Sequence, residues 1–139
     1  MNDSLGERMK GQYEHRSRYF LPRRTYTVLR VDGKAFHTLL RHSQKPYDLA
    51  FAMSMDATAR ALCSEIQGSK FAYTQSDEIS VLLTDFEKPT TDAWFDGNVQ
   101  KMASIAAATA TMAFGRDYGW AAGALFDARV FTIPDRVEI

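Results

Sequence analysis

The sequence predicts an α+β fold of the ferredoxin-like type, in which one antiparallel sheet carries two helices on one face. Four short β-branched or apolar runs alternate with two longer helical patterns in the order β-α-β-β-α-β. Only a few residues separate the second run from the third, so these two runs must form a hairpin. Right-handed crossovers then place the third strand between the first and the second, and the first strand between the third and the fourth.

Residues that interrupt extended structure bound the four predicted strands. A glycine follows the first strand, and a proline follows the last. We predict the strands at residues 25–31, 70–75, 79–84 and 124–133. Residues 1–24 are a polar N-terminal segment with a weak helical pattern, and residues 25–134 form the core of a single domain.

Two amphipathic patterns predict the helices. The first spans residues 48–67, with Asp48 as its N-cap and Gly68 just beyond its C-terminus. Its apolar positions step by three and four residues through Ala52, Met55, Ala59, Leu62 and Ile66. The second spans residues 96–114 and is predicted to end at Gly115. Its small packing residues, which favour a close approach to the sheet, are Val99, Ala103, Ala106, Ala110 and Ala113.

The composition excludes several classes of protein. Of the 139 residues, 45% are hydrophobic and 24% are charged, which is typical of a globular domain rather than a disordered or fibrous chain. The single cysteine, Cys63, excludes an intrachain disulfide and favours a reducing compartment, so we expect a cytoplasmic location. The N-terminus lacks the apolar segment of a signal peptide, and no stretch is long and apolar enough to span a bilayer. We therefore expect no membrane partner.

The formal net charge is zero, but the charges are unevenly distributed. Residues 1–45 contain ten Lys and Arg against four Asp and Glu, whereas residues 46–139 contain seven against thirteen. A basic N-terminal third beside an acidic remainder is compatible with an anionic partner together with a cation site. An ordinary solvated surface explains the same distribution, so charge alone assigns no function.

Two acidic segments are predicted to meet at one edge of the sheet. Asp32 ends the first strand, and Asp77 and Glu78 interrupt the hairpin. Crowded carboxylates repel one another, and Mg²⁺ relieves this repulsion by binding carboxylate and carbonyl oxygens together with substrate phosphates. We predict a phosphoryl-transfer site in which Asp32 and Asp77 bind one or two Mg²⁺ ions and Gly33 leaves room for its backbone carbonyl to approach a metal. Glu78 is either a further ligand or a structural residue, and the alternative for the whole set is an exposed acidic hairpin turn.

Basic and aromatic residues surround the same edge. Lys34 and Lys45 are candidates for holding a triphosphate, with ordinary surface lysines as the alternative. Phe36 is either a base contact or a buried anchor, and His37 is either a base contact or a structural histidine. The sequence contains no P-loop, no GxGxxG and no zinc-ligand spacing.

Five segments carry a further signal. They are RVDGKAFH at 30–37, KPYD at 45–48, AYTQSDEIS at 72–80, WFDGNVQK at 94–101 and FDARVF at 126–131. Together, in this order and without obvious gaps, they resemble the tRNAHis guanylyltransferase family. The likeness runs from about Leu5 to the C-terminus and is closest to the bacterial and phage guanylyltransferase-like 3′–5′ polymerases.

The resemblance implies a polymerase-like palm, two Mg²⁺ ions, and GTP and ATP as substrates. It implies that nucleotides are added to the 5′ end of tRNA, in the direction opposite to ordinary polymerisation. A 5′-monophosphate is first activated with ATP or GTP, and the 3′-hydroxyl of the incoming nucleotide then attacks the activated end. In the polymerase-like members the addition is templated and repairs truncated tRNA. The family also forms tetramers, and we expect its C-terminal region, which helps to bind tRNA and to assemble the tetramer, to be absent from these residues.

Residue roles carry over by position. Asp32, Gly33 and Asp77 match the metal ligands, and Glu78 matches a third catalytic acid. The matched nucleotide site comprises Asp32, Gly33, Lys34, Ala35, Phe36, His37, Lys45, Asp48, Ser76 and Asp77. Two basic residues match positions that handle the second triphosphate or the tRNA end, Arg30 and Lys101. A nucleotide cyclase-like palm and a non-catalytic nucleotide- or RNA-binding fragment remain as alternatives.

Overall fold

The computed structural model describes residues 4–34, 36 and 49–139. The strands are β1 Tyr26–Gly33, β2 Ser69–Gln75, β3 Glu78–Leu83 and β4 Phe126–Ile133. The α-helices within the described ranges are α1 Leu5–Gln12, α2 Leu49–Glu65 and α3 Val99–Tyr118. Among these helices, none combines the length and the apolar character needed to cross a membrane.

The four strands form one antiparallel sheet in the order β2-β3-β1-β4. This is the order predicted from right-handed crossovers, and the ferredoxin-like prediction is confirmed. The register places Asp32 of β1 opposite Glu78 on one side and opposite Asp127 of β4 on the other. The end of β1 and the start of β3 therefore lie at the same edge of the sheet.

The sheet has one face that packs against the helices and one open face. Leu29, Val31, Ile79 and Val81 are fully buried, and they alternate along β1 and β3 with residues that are only partly buried. Helices α2 and α3 cover the buried face through the apolar residues Met55, Leu62, Met102, Ala106, Ala110 and Phe114. Burial of such side chains is the main driving force for folding, at roughly 1.5–3 kcal/mol for each large one.

An aromatic cluster closes the core beneath the end of β1. The ring of Phe36 lies 5.1 Å from that of Phe126, 5.3 Å from that of Phe114 and 6.0 Å from that of Phe51. Tilted and edge-on aromatic pairs at these centroid distances contribute about 0.5–1.5 kcal/mol each beyond their buried area. The cluster holds β1, β4 and both long helices together directly below the acidic edge.

Helix α3 begins and ends at other residues than predicted, and it packs through a partly different face. Gly115 does not end the helix; a side-chain carbon at this position would lie 2.2 Å from the ring of Trp120, so the glycine makes room for that ring. The helix ends at Tyr118, and Gly119 follows with a φ of 124°. At its start, residues 94–97 form a separate turn, and Asn98 is the N-cap. The deeply buried face contains Met102 and Phe114 rather than the predicted Ala103 and Ala113.

The first long helix agrees more closely with its prediction. Met55, Ala59, Leu62 and Ile66 are buried as expected. The helix ends at Glu65, two residues before its predicted end, so Gly68 lies three residues beyond the C-terminus rather than directly after it. Gly68 has the positive φ, 84°, that suits a glycine after a helix, and its carbonyl accepts a hydrogen bond of 3.0 Å from the Thr84 N–H. The predicted N-cap, Asp48, lies outside the described residues.

The N-terminal segment is attached at the sheet end that lies farthest from the acidic edge. The carboxylate of Asp85 accepts hydrogen bonds from the Arg24 backbone N–H at 2.8 Å and from the Arg23 Nε at 2.6 Å. Asp85 is only 7% exposed, so a buried acid just beyond β3 connects the segment to the sheet.

Candidate active site at the acidic edge of the sheet

Backbone pairing brings the two predicted acidic segments together. Asp32 and Glu78 are cross-strand partners, and the Gly33 N–H donates a hydrogen bond of 2.9 Å to the carbonyl of Asp77. This bond holds the hairpin turn against the end of β1. The acidic edge, which we define as Asp32, Asp77, Glu78 and Asp127, is thus built by strand register rather than by flexible loops.

The hairpin turn that carries Asp77 has an unfavourable backbone conformation. Ser76 and Asp77 are the only residues between β2 and β3, and Ser76 has a φ of 56°. A side-chain carbon in this left-handed region costs about 1–2 kcal/mol relative to the right-handed one. Ser76 is exposed, which leaves its hydroxyl free to face a ligand at the edge. Strain of this kind is often found at functional sites.

Two residues of β4 complete the edge, and the sequence analysis assigned no role to either. Asp127 lies opposite Asp32, and the Arg129 Nη2 lies 3.6 Å from Asp32 Oδ2 and 3.5 Å from Asp127 Oδ1. The side chain of Asp32 is 25% exposed, whereas those of Asp127 and Arg129 are about 60% exposed. The segment FDARVF contained this signal, because strand alternation places Asp127 and Arg129 on the same face as Asp32.

Arg30 lies between the acidic edge and the middle of the open face. Its Nε is 3.3 Å from Ser80 Oγ and 3.6 Å from Glu78 Oε1, and its guanidinium lies 5.8 Å from the centre of the Phe131 ring. Partly exposed ion pairs of this kind contribute only about 0–1 kcal/mol. Arg30 therefore orients Glu78 more than it stabilises the fold.

The donor set at the edge suits a hard divalent cation. Carboxylate oxygens of Asp32 and Asp77 and the carbonyl of Gly33 are the ligand types that Mg²⁺ prefers. The carboxylates of Asp32, Glu78 and Asp127 lie within 3.6 Å of a guanidinium group of Arg30 or Arg129. With Asp77, the acids of the edge outnumber these two bases and the exposed Lys34. Within the described ranges, no three His, Cys, Asp or Glu side chains form a complete metal-binding group. The residues fit a metal that is also coordinated by substrate phosphates.

Two further predicted nucleotide-binding residues, Lys34 and Phe36, lie in different surroundings: the first is exposed and the second is buried. The Lys34 N–H donates to the Leu125 carbonyl at 2.8 Å, and its side chain is exposed beside the acidic edge. The ring of Phe36 is only 2% exposed and lies in the aromatic cluster. The structure therefore corrects the prediction of a base contact by this ring and favours the alternative of a buried anchor. A side-chain carbon on Gly33 would lie 2.5 Å from the ring, so Gly33 is also required for packing.

The remaining predicted residues are not part of the described edge. Lys101 lies near the start of α3, where Gly97 and Met102 line a small cavity with Thr27 and Leu83. Thr27 is five residues from Asp32 along β1, or about 17 Å at the usual rise of a strand. Within one chain, therefore, Lys101 does not reach the acidic edge, and its match to a residue that handles the second triphosphate or the tRNA end remains a prediction from the resemblance. The residues that lie outside the described ranges are Ala35, His37, Lys45 and Asp48.

The resolved pKa shifts lie away from the acidic edge. Glu87 accepts hydrogen bonds from Lys70 and from Thr84. These bonds, the one from Lys70 most of all, lower the pKa of Glu87 to about 2. A hydrogen bond from Arg23 to Asp85 raises the pKa of the Arg23 guanidinium. Burial raises the pKa of the Cys63 thiol and so keeps it protonated at neutral pH.

Comparison with known proteins identifies relatives over almost the whole chain. The family model described as Thg1, tRNAHis guanylyltransferase, matches residues 6–134. An uncharacterised protein of Acanthamoeba polyphaga mimivirus is 30% identical over 124 residues, which cover 85% of this chain and 42% of that protein. The tRNA(His) guanylyltransferase of Schizosaccharomyces pombe is 44% identical over 71 residues, which cover 50% of this chain and 26% of the enzyme.

Solved structures agree with this assignment. A bacterial tRNA(His) guanylyltransferase-like protein in complex with ATP is 40% identical and superimposes with a TM-score of 0.88, covering 95% of this chain and 59% of that one. The same kind of bacterial protein in complex with GTP gives the same identity and TM-score and is covered to 64%. The Saccharomyces cerevisiae tRNA(His) guanylyltransferase, at 22% identity and a TM-score of 0.77, shares the fold. This chain spans about six tenths of the length of the bacterial relatives.

Proposed function

The chain belongs to the tRNAHis guanylyltransferase family, and from this premise we propose that it is a Mg²⁺-dependent nucleotidyltransferase palm that adds nucleotides to the 5′ end of tRNA in the 3′–5′ direction. The observation that carries the proposal is the acidic edge itself. The Gly33–Asp77 hydrogen bond and the pairing of Asp32 with Glu78 bring the backbones of three acids from two separate segments to one edge of the sheet, which supports the proposal. A purely structural hairpin turn needs no such convergence of like charges.

The residues of the edge have distinct proposed roles. Asp32, Asp77 and the Gly33 carbonyl would hold two Mg²⁺ ions, and the chemistry that these ions would supply when bound is activation of a hydroxyl and stabilisation of phosphate charge. Glu78, oriented by Arg30, would join the metal site or adjust its charge. Arg129 lies beside Asp32 and is placed to contact a phosphate that approaches the acids.

Nucleotide binding is supported by the relatives in complex with ATP and GTP at 40% identity. In this chain the exposed Lys34 and Ser76 flank the edge and would position the triphosphate. Roles for Ala35, His37, Lys45 and Asp48 remain predictions from the resemblance. So do the tRNA substrate, the tetramer and the cytoplasmic location.

Replacement of one acid tests the proposal. With Asp77→Ala, the protein should lose at least about a thousandfold in the addition of a labelled nucleotide to a 5′-truncated tRNA, because it loses a proposed metal ligand. Asp92→Ala, which removes an exposed acid elsewhere, is the matched control and should retain full activity. Both variants should show the circular dichroism of the unchanged protein.

Three outcomes would contradict the proposal. Undiminished addition by the Asp77→Ala variant would remove the metal mechanism. Cyclic nucleotide production from GTP or ATP without RNA would indicate a cyclase-like palm instead. Mg²⁺-dependent triphosphate binding by calorimetry, without turnover on any truncated tRNA, would indicate a non-catalytic binding fragment.

A further inference from the structure

The open face of the sheet is organised in three rows that run across all four strands. Strand register defines each row, and successive rows lie about 7 Å apart. The first row lies at the acidic edge and consists of Gln75, Glu78, Asp32 and Asp127. The next, the arginine row, consists of Tyr73, Ser80, Arg30 and Arg129. The third, the apolar row, consists of Phe71, Leu82, Val28 and Phe131.

Two aromatic side chains on this face are unusually exposed for their position. Phe71 is 49% exposed and Tyr73 is 61% exposed. Both lie on the outer strand β2 and line a groove of about 400 Å³. Arg30 and Phe131 also line this groove. Two neighbouring exposed aromatic rings next to fixed charges are more typical of a binding site than of a solvated face.

We propose that the arginine row and the apolar row bind unpaired RNA nucleotides, with Arg30 and Arg129 at the phosphates and Tyr73 and Phe71 stacked on bases. This inference rests on the proposed function, since it concerns the nucleotides that lead to the acidic edge. The two rings are alternate residues of one strand, so they share a face about 7 Å apart and can each receive a separate base.

The chemistry of the face favours RNA over a protein or a lipid surface. A purely apolar partner would remove from water two guanidinium groups whose contacts with acids are 3.5–3.6 Å long, so these contacts would offset only part of a cost of several kcal/mol for each group. A polyanion with flat bases satisfies both rows at once. The same four-stranded sheet topology is used by RNA-binding domains whose sheet aromatics stack two or three bases. The Glu138 carboxylate at the groove would repel phosphates, so we expect the backbone to pass along the arginine row instead.

A binding assay that does not depend on catalysis tests the inference. A short single-stranded RNA that contains 2-aminopurine is titrated with protein carrying Asp77→Asn, so that no nucleotide is added. In this background, Tyr73→Ala should bind between about 5-fold and 100-fold more weakly and lose the fluorescence quenching, whereas Tyr73→Phe should retain both, since a ring stacks without its hydroxyl. Tyr19→Ala, which removes an equally exposed tyrosine outside the sheet, is the matched control.

The phosphate contacts have their own readout. Arg129→Gln should reduce the slope of log K against log salt concentration by about 0.7, the value for one phosphate contact on a single strand. Equal affinity and quenching for Tyr73→Ala and Tyr73→Phe would overturn the inference while leaving nucleotide addition untouched. A dimer in sedimentation that Tyr73→Ala dissociates would overturn it too, because the face would then be an interface between two copies. Failure of nucleotide addition with intact RNA stacking would contradict only the proposed function.

Discussion

The two ends of the sheet treat their acidic residues in opposite ways. At the far end, Asp85 is buried and accepts hydrogen bonds from Arg23 and Arg24, and Glu87 accepts hydrogen bonds from Lys70 and Thr84. At the acidic edge, by contrast, four carboxylates are partly exposed, and the arginine contacts given for them are longer than 3.4 Å. Each end includes a non-glycine residue with a positive φ, which is Arg24 at the far end and Ser76 at the acidic edge.

From the difference we infer that the far end contributes to stability, whereas the acidic edge is suited to the proposed chemistry. The Arg24 N–H is hydrogen-bonded by Asp85, so the strain at the far end accompanies a stabilising contact. The strain at Ser76 accompanies a turn that places Asp77 among other acids, which by itself is unfavourable. Charges that repel in the free protein are available to a cation and to phosphates, whereas charges that are already paired are not.

The largest expected effect is on the stability of the far end. Asp85→Ala should lower the free energy of unfolding by about 2 kcal/mol, because it removes the buried acceptor of two hydrogen bonds, from the Arg24 N–H and from the Arg23 Nε. Urea unfolding followed by circular dichroism measures this change. Asp85→Asn keeps one acceptor oxygen and should lose less. Asp77→Ala at the acidic edge should unfold at the urea concentration of the unchanged protein, and an equal loss for both would remove the distinction between the ends.

A smaller effect is expected from relief of the strained turn. Ser76→Gly should raise the free energy of unfolding by about 0.5 kcal/mol, since glycine adopts a positive φ without the 1–2 kcal/mol penalty but loses more entropy on folding. The same substitution should lower nucleotide addition, because the hydroxyl is lost and the turn gains freedom. Thermal unfolding and the addition assay, run side by side, measure the two changes. A variant that is both less stable and fully active would contradict the assignment of this strain to function.

The smallest effect concerns the acid stability of the far end. Because the folded pKa of Glu87 is about 2, below its ordinary value of 4.5, its contribution is fully present above pH 4.5 and is lost as the pH falls toward 2. Glu87→Gln should therefore make the melting temperature less dependent on pH between 5 and 2. If the melting temperatures of the two proteins fell equally between pH 5 and pH 2, Glu87 would not contribute to acid stability. The side chain is largely solvated, so we expect only a modest change.

Much of the fold followed from local patterns. The order of the elements, the hairpin and the sheet order are confirmed, because alternation, short connections and crossover handedness act within a few residues or through simple topology. The packing face of α3 was predicted wrongly in part. Its alanine-rich sequence offers overlapping stripes of similar polarity, and only the position of the sheet and of the Phe36 cluster selects Met102 and Phe114.

The acidic edge was predictable only in part, for a related reason. Asp32, Asp77 and Glu78 stand out because each interrupts a strand-like run. Asp127 and Arg129 lie within a strand and look like ordinary solvent-facing residues until their register opposite Asp32 and Arg30 is known. Phe36 was predicted to be part of the nucleotide site, but its ring lies in the core.

By itself, the sequence determined the alternation of strands and helices, the sheet order and the location of the acids at strand ends, since these depend on side-chain period and on chain connectivity. Only the tertiary structure decided which helix face is buried, which aromatic rings face solvent and which β4 residues join the acidic edge. Those properties depend on the register between segments that are distant in the chain. A register shift of one residue would move every side chain of a strand to the opposite face of the sheet.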